Sequence, residues 1–350
     1  MSHPDDQTTE FDIEALDGYI ARALGADDSR HVTRRMLGGG LSQLTIMYDR
    51  TTPSANPDAL DRLVVRVPPA FGPLEPYEPA VEAGLLREMA GQGVPVPNVA
   101  LLETDAEIVG RPFYATEFDP GTMTAEGAGS TGMDRQRMAE ALVDLLVRIH
   151  RVPVGTENGG AAGLLGHLSV KSPAGLLERW TDRLREEDVQ LPAYHQFLER
   201  WLRHRIPAPS ADLTIVHGDF RLANVLWGAD GAVSAMMDWE ESSLGDPLYD
   251  LAWMLTGSYA DEDLIFGLAP RSWFIEAYES RSAVEFDRQT LLWWEVATGW
   301  SLLAMNAIAI KLQADGRYHD LRPLLYTYLN RRIAQVLLKK IVRFEEASVR

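Results

Sequence analysis

The chain has 350 residues, a formal net charge of −18 and no cysteine. That length suits two lobes better than one small core. The acidic balance repels nucleic acid and anionic membranes, because a phosphate backbone would meet self-repulsion instead of counterion release; the missing thiols exclude disulfides, thiolate catalysis and zinc–thiolate sites.

Residues 1–10 are polar, and Met1-Ser2-His3-Pro4-Asp5-Asp6 is neither basic nor apolar. With no run of about eighteen uncharged apolar residues anywhere, the expectation is a cytoplasmic chain without an export signal or a membrane span. Phe11, Ile13, Leu16, Ile20 and Leu24 recur at helical spacing, so residues 1–24 read as a tail and a short amphipathic helix. Two strand-like runs then flank Gly38-Gly39-Gly40-Leu41-Ser42. Absent Cβ atoms let backbone amides approach phosphates there, although glycine-rich hairpin turns are also common. Asp49 to Leu60 reads as a hairpin connection to a strand over Leu63–Val67, and Val94–Leu102 and Arg111–Phe118 read as strands about a polar turn at Asp105. Near Tyr114–Gly121 the pattern turns from strand-like to helical, which sets a boundary between residues 25–117 and 118–350. The tract 124–132 reads as a mobile loop, with a lid as the functional alternative.

Asp134 is placed to cap a helix running to about Arg151, whose terminal His150 suits the negative end of the helix dipole. Ser172-Pro173 opens amphipathic helices reaching His204. Then comes the stretch Ile215-Val216-His217-Gly218-Asp219-Phe220-Arg221-Leu222-Ala223-Asn224, followed by Met236-Met237-Asp238-Trp239-Glu240. Phosphoryl transfer from ATP needs a carboxylate to take the proton of the attacking hydroxyl and oxygen ligands to hold Mg²⁺. In His-x-Asp-x-x-x-x-Asn, Asp219 is the expected base and Asn224 a neutral metal ligand; Asp238, coming off the next hairpin, is the anionic one. Asp and Asn also serve as turn residues, but the joint pattern in this order argues for chemistry.

The spacing resembles a kinase catalytic loop. With Gly218 after the histidine, Trp239-Glu240 after the metal Asp, and Gly245-Asp246-Pro247-Leu248-Tyr249-Asp250-Leu251-Ala252 following, the chain is similar to the aminoglycoside phosphotransferase and choline kinase family. The resemblance implies an α+β, two-lobed protein-kinase-like fold, with a small antiparallel-sheet lobe and a larger helical one. It implies ATP and Mg²⁺ as cofactors, Gly38, Gly39, Gly40 and Ser42 over the phosphates, and the adenine against the backbone of Glu117 and Phe118. Where the kinase pattern has a phosphate-binding lysine on the third strand, this chain has Arg66. Arg66-Val67-Pro68-Pro69 and Gly93-Val94-Pro95-Val96-Pro97 resemble the acyl-CoA-dehydrogenase-associated subgroup, which implies Glu82 as the partner of Arg66, with Glu78 and Glu88 as other candidates. An ordinary surface ion pair is the plain alternative for Arg66.

Asp250 is expected to turn inward and hold the backbone of the catalytic loop. The short connection from Asp238 to Gly245 leaves no room for a long activation loop, which disfavours a protein kinase. Leu291 to Ile310 reads as a buried core helix. It contains Glu295 alone among acids, and the closing helix is basic, so the segment after Asp238 offers few carboxylates for a polycationic antibiotic. The expected acceptor is the hydroxyl of a small, partly apolar molecule, in line with hydroxylated acyl compounds in the subgroup. The alternatives are a nucleotide-binding sensor without turnover and a resistance kinase for aminoglycosides or macrolides.

Overall fold

The computed structural model describes residues 11–26, 28–37, 43–53, 59–123, 134–154, 168–210, 212–256, 264–318 and 322–348. The expectations placed on residues 1–10, on Gly38, Gly39, Gly40 and Ser42, and on the 124–132 tract lie outside the described residues.

Helix α1 (Ile13–Ala23) begins where Asp12 accepts a hydrogen bond from the Ala15 N–H, and it turns Leu16 and Ile20 inward. These side chains meet a sheet built from β1 (Val32–Leu37), β2 (Leu44–Arg50), β3 (Arg62–Val67), β4 (Val99–Glu103) and β5 (Phe113–Glu117), in the order β1-β2-β3-β5-β4. All neighbours in that sheet run antiparallel. Successive strand residues face opposite sides. Leu63, Val65 and Val67 of β3 are buried with α1, Ile46 and Phe113, so Arg66 projects from the other face. The helix counted with the tail is therefore one wall of the sheet lobe's core.

Helix α2 (Pro79–Gly91) starts with proline in its first turn and buries Glu82, Ala83, Leu85, Leu86 and Met89. The strand expected from Val94 starts only at Val99. Pro95 and Pro97 have no N–H to donate, and the Pro95 carbonyl instead accepts from the Met236 N–H at 2.8 Å, tying this segment to the other lobe. The expected turn at Asp105 is a one-turn helix, α3 (Ala106–Val109), capped by Asp105 and closed by Gly110 in the left-handed region at φ 95°.

The helical lobe follows: β6 (Thr122–Met123), α4 (Arg135–His150), β7 (Val170–Lys171), α5 (Pro173–Glu186), α6 (Ala193–Arg203), β8 (Thr214–Val216), β9 (Val225–Trp227), β10 (Val233–Met236), β11 (Ser243–Gly245), α7 (Leu248–Thr256), β12 (Leu264–Ile265), β13 (Ala269–Pro270), α8 (Arg271–Ser282), α9 (Arg288–Ala314) and α10 (Pro323–Ser348). Helix α4 starts where Asp134 accepts from the Gln136 and Arg137 N–H groups. Ser172 caps α5, with Pro173 in its first turn. Helix α9 buries Trp293, Trp294 and Trp300. Its one acid, Glu295, is buried against Arg271 at 2.8 Å and Lys340 at 2.6 Å. Among the described residues no helix is long and apolar enough to cross a membrane. Two small sheets, ordered β10-β9-β6 and β7-β11-β8, hold the loops that carry the chemistry-bearing residues.

Candidate active site

Strand β8 delivers His217, Gly218 and Asp219 onto a loop whose backbone is held from below. Asp250 is fully buried on α7; its two carboxylate oxygens accept from the His217 N–H at 2.6 Å and the Gly218 N–H at 2.9 Å. Burial pushes the Asp250 carboxyl up, but its bond to His150, the neighbouring imidazoles and the Gly218 N–H outweigh this, and its pKa lies below the usual range. His150 is thus more than a dipole partner for α4. Its Nε2 stands 3.2 Å from Asp250 and its Nδ1 is 2.7 Å from the Tyr278 hydroxyl, so the end of α4 helps fix the loop. Gly218 sits at φ 92°, and a Cβ there would come within 2.3 Å of the Glu241 carbonyl oxygen. Glycine is required on both counts.

The Asp219 carboxylate is gripped at both oxygens. Oδ1 accepts from the indole N–H of Trp253 at 2.6 Å and Oδ2 from the Asn224 amide at 2.8 Å, with the Arg221 guanidinium 3.2 Å from Oδ2. Burial raises the Asp219 pKa against the opposing charge of Arg221. The same Asn224 Nδ2 also donates to the Asp219 carbonyl at 2.9 Å. Both amide hydrogens therefore serve Asp219, which leaves the side-chain oxygen Oδ1 of Asn224 for a cation.

Asp238 follows β10 and stands at φ 69°, a left-handed conformation that costs a non-glycine residue about 1–2 kcal/mol. The surrounding loop fixes it: the Met237 N–H donates to the main-chain carbonyl of Asn224 at 2.8 Å, and His217 Nε2 is 2.9 Å from the Met237 carbonyl. Arg66 reaches across from β3 and donates to Asp238 Oδ1 at 2.7 Å. Burial pushes the Asp238 carboxyl up; the guanidinium overrides this and holds it below the usual range. Arg66 thus has two acidic partners: the expected Glu82 at 3.9 Å and, closer, Asp238 at 2.7 Å. Glu82 is also held by a third side chain, Gln43, whose Nε2 donates to Glu82 at 2.9 Å and to Glu240 at 3.0 Å. Of the other two candidates, Glu78 is the N-cap residue of α2 and Glu88 accepts from Gln92.

Asp219, Asn224, Asp238, Arg66 and Glu82 are thus linked through contacts spanning both lobes. Glu117 and Phe118 lie where the sheet lobe ends, and their side chains are engaged locally. The Glu117 carboxylate accepts from the Asn98 side chain at 2.6 Å, its N–H donates to the Asn98 carbonyl at 2.9 Å, and the Arg62 guanidinium stands 4.4 Å from the centre of the Phe118 ring.

Three contributions escaped the sequence reading: Gln43, Trp253, and a cluster of the buried Lys171 with the half-buried Arg179 and Glu241. The Lys171 ammonium donates to the Glu241 carbonyl at 2.7 Å, and Arg179 makes a two-pronged bond to the Glu241 carboxylate at 2.8 and 3.1 Å. Burial draws the Lys171 pKa down. For Glu241, burial acts upward but the Arg179 and Lys171 charges prevail and lower its pKa to about 2. No spacing rule links positions 171, 179 and 241; the pairing of β7 with β11 does. Beside this cluster, between α2 and α5, is a cavity of about 520 Å³ whose wall includes Leu74, Leu85, Leu168, Leu176 and Trp239.

A metal fits this donor set in one way. Among the described residues there is no group of three or more His, Asp or Glu side chains able to hold an ion. Mg²⁺ typically takes one or two protein oxygens, which Asp238 and the Asn224 side-chain oxygen can supply, and completes its octahedron with phosphates and water.

Residues 35–294 match the phosphotransferase enzyme family. The chain belongs to that family. It is 31% identical over 265 residues to mouse acyl-CoA dehydrogenase family member 10, covering 74% of this chain and 23% of that protein. It is 27% identical over 256 residues to the human family member 11, covering 69% and 30%. The chain thus spans less than a third of the length of these relatives. Among solved structures, a Ralstonia eutropha protein provisionally called an aminoglycoside phosphotransferase superposes with a TM-score of 0.70 at 22% identity, over 95% of this chain and 99% of the other. Choline kinase from Cryptosporidium parvum superposes with a TM-score of 0.59 at 12% identity, over 96% and 97%. The fold of this phosphotransferase is the kinase-like one, an antiparallel sheet lobe joined to a larger helical lobe.

Proposed function

We propose that this phosphotransferase moves the γ-phosphoryl group of MgATP to a hydroxyl of a small, partly apolar molecule. The observation that carries the reading is the linkage of Asp219 with Asn224, and of Asp238 with Arg66, around one loop held by Asp250. Bound MgATP would supply the transferable group. Asp219 takes the hydroxyl proton, and its raised pKa makes it a better base than an exposed aspartate. The Asn224 side-chain oxygen and the second carboxylate oxygen of Asp238 would hold the cation, Arg66 would turn its fork toward the phosphates, and the Glu117–Phe118 backbone would face the base.

Two observations support an acceptor with apolar character. The cavity next to Trp239 has an apolar part to its wall, made by Leu74, Leu85, Leu168, Leu176 and Trp239, set among charged side chains. Acids gather around it from both lobes; of those nearest Trp239, Glu241 is already neutralised by Arg179 and Lys171, and Glu82 and Glu240 share the Gln43 amide, so these three are poorly placed to pair ammonium groups. The similarity to part of two acyl-CoA dehydrogenase family members points the same way, toward a hydroxylated acyl compound.

The test is a screen of purified protein with MgATP against hydroxyacyl thioesters, amino-alcohols, sugars and antibiotics, with Asp219→Asn as the control. A phosphorylated hydroxyacyl product from the native chain alone is the expected result. Tight nucleotide binding with no transfer and no slow hydrolysis would make the chain a sensor. Aminoglycosides turned over at about 10⁵ M⁻¹s⁻¹ or more, on the general enzyme scale, would overturn the acceptor class.

A further inference from the structure

Asp219 has no intrinsic reason to point one way. Rotation of a carboxylate about its last torsion is broad and roughly two-fold, so a base that must meet one hydroxyl has to be oriented by its neighbours. Here the two oxygens have different partners. Asn224 holds Oδ2, yet Asn224 also carries the side-chain oxygen assigned to the cation. Trp253 holds Oδ1 at 2.6 Å through the one N–H of its indole, and that N–H serves no other acceptor among the described contacts.

The indole is itself well placed to stay put. Trp253 and Tyr249 lie four residues apart on α7, on one face of the helix, and their rings stack with planes 16° apart and centroids 6.1 Å apart. Tyr249 is pinned in turn, edge-on against Trp294 at 5.6 Å and under the Lys171 ammonium at 4.6 Å. Trp253 remains half-buried, packed against the core with part of its surface exposed. Core packing alone would be met by phenylalanine; it is the N–H that a phenylalanine could not provide.

We propose that Trp253 is the positioning residue of the base. Its indole N–H fixes the plane of the Asp219 carboxylate so that a remaining lone pair faces the acceptor hydroxyl. As the acceptor oxygen bonds to the γ-phosphorus, its proton passes to Asp219. The bond from that phosphorus to the bridging oxygen breaks, and ADP leaves with the electron pair. The inference rests on the reading of Asp219 as the base, but the contact itself can be tested without any acceptor.

The test has two arms on the full chain. In the first, ¹⁵N-labelled protein is titrated while its indole N–H signals, at most nine for the nine tryptophans, are followed by NMR. The signal missing from Trp253→Phe is expected to move with pH as Asp219 titrates, and to lose that movement in Asp219→Asn. If Trp253→Phe does not fold, the signal is identified as the one indole displaced by Asp219→Asn. A Trp253 signal that ignores pH, or that titrates equally in Asp219→Asn, overturns the proposal. In the second arm, Trp253→Phe should lower kcat roughly 10- to 100-fold, the scale of a misplaced catalytic group, while the Kd for MgATP stays unchanged. The acidic limb of its pH–rate profile should shift to higher pH, because a donor that favours the carboxylate form has been removed. Loss of MgATP affinity with an unmoved pH profile would mark a merely structural tryptophan. A titrating indole in a chain that transfers no phosphoryl group would keep the orienting contact and sink the reaction instead.

Discussion

The two aspartates of the site differ in their surroundings, and that difference separates their expected roles. Asp219 is half-buried and hydrogen-bonded to neutral donors, with Arg221 alongside, and its pKa is raised from 3.8. Asp238 faces a full guanidinium and is lowered. Replacing Asp219 with Asn should cut transfer by roughly 10²- to 10⁴-fold, the usual worth of a general base, and leave MgATP affinity near that of the native chain. Asp238→Ala should weaken MgATP binding itself. Equal MgATP affinities for the two variants by calorimetry would show that the roles are interchanged. A raised pKa means that the base is protonated at a higher pH than an ordinary aspartate, so kcat/KM should fall on the acid side above pH 3.8. An acidic limb at or below that value would place the base elsewhere. Gly218 makes a separate demand. Gly218→Ala forces a Cβ to within 2.3 Å of the Glu241 carbonyl oxygen at φ 92°, and the conformation alone costs about 1–3 kcal/mol. Urea unfolding should show a clearly lowered midpoint; an unchanged one is incompatible with that close approach.

At the scale of elements, β11 is the keystone. It lies between β7 and β8, so it ties the chain after Asp238 both to the catalytic strand and to Lys171. In many regulated kinases a phosphate in this region is bound by arginine and orders the segment. Here the Glu241 carboxylate already has Arg179 and Lys171. Dephosphorylated recombinant protein should therefore be fully active, and activity that appears only after treatment with an upstream kinase would contradict this. The folded pKa of Glu241, about 2, is below the ordinary glutamate value of 4.5. Its stabilisation is thus complete above about pH 4.5 and is lost as pH falls toward 2. Glu241→Gln should cost up to roughly 3 kcal/mol at pH 7 by this linkage, and the gap between variant and native midpoints should close on acidification. This cluster was illegible beforehand because its members come from three elements that only strand pairing brings together. The catalytic loop was legible for the opposite reason: Asp219 and Asn224 are five residues apart, and a local turn suffices to join them. Between these extremes lies Arg66. Its strand was legible, and the resemblance pointed to Glu82 as a partner, but its closer partner was not, because Asp238 is 172 residues away and no pattern within the sheet lobe points to it. Pro95 and Pro97 were visible in the sequence, and the start of β4 at Val99 follows from their missing N–H groups once the Pro95 contact to Met236 is known.

For the whole molecule, the described residues offer a cation only two side chains at this site. Mg²⁺ should bind weakly to the protein alone and tightly only with nucleotide, which isothermal calorimetry can separate; tight saturable Mg²⁺ binding without nucleotide would require ligands not recognised here.

Arg66 and Asp238 belong to different lobes and neutralise each other across the gap between them. On the proposed reading both have new partners in the working enzyme, the phosphates for one and the metal for the other. Nucleotide loading then becomes an exchange of counterions: a bond between the lobes opens as a cation and a polyanion enter together. Two consequences follow for the energetics. The affinity measured for MgATP is a difference, from which the opening of the inter-lobe pair has already been subtracted. Metal and nucleotide should also cooperate, because either one alone would part the pair and leave one of its members, half-buried and charged, without its nearest counterion.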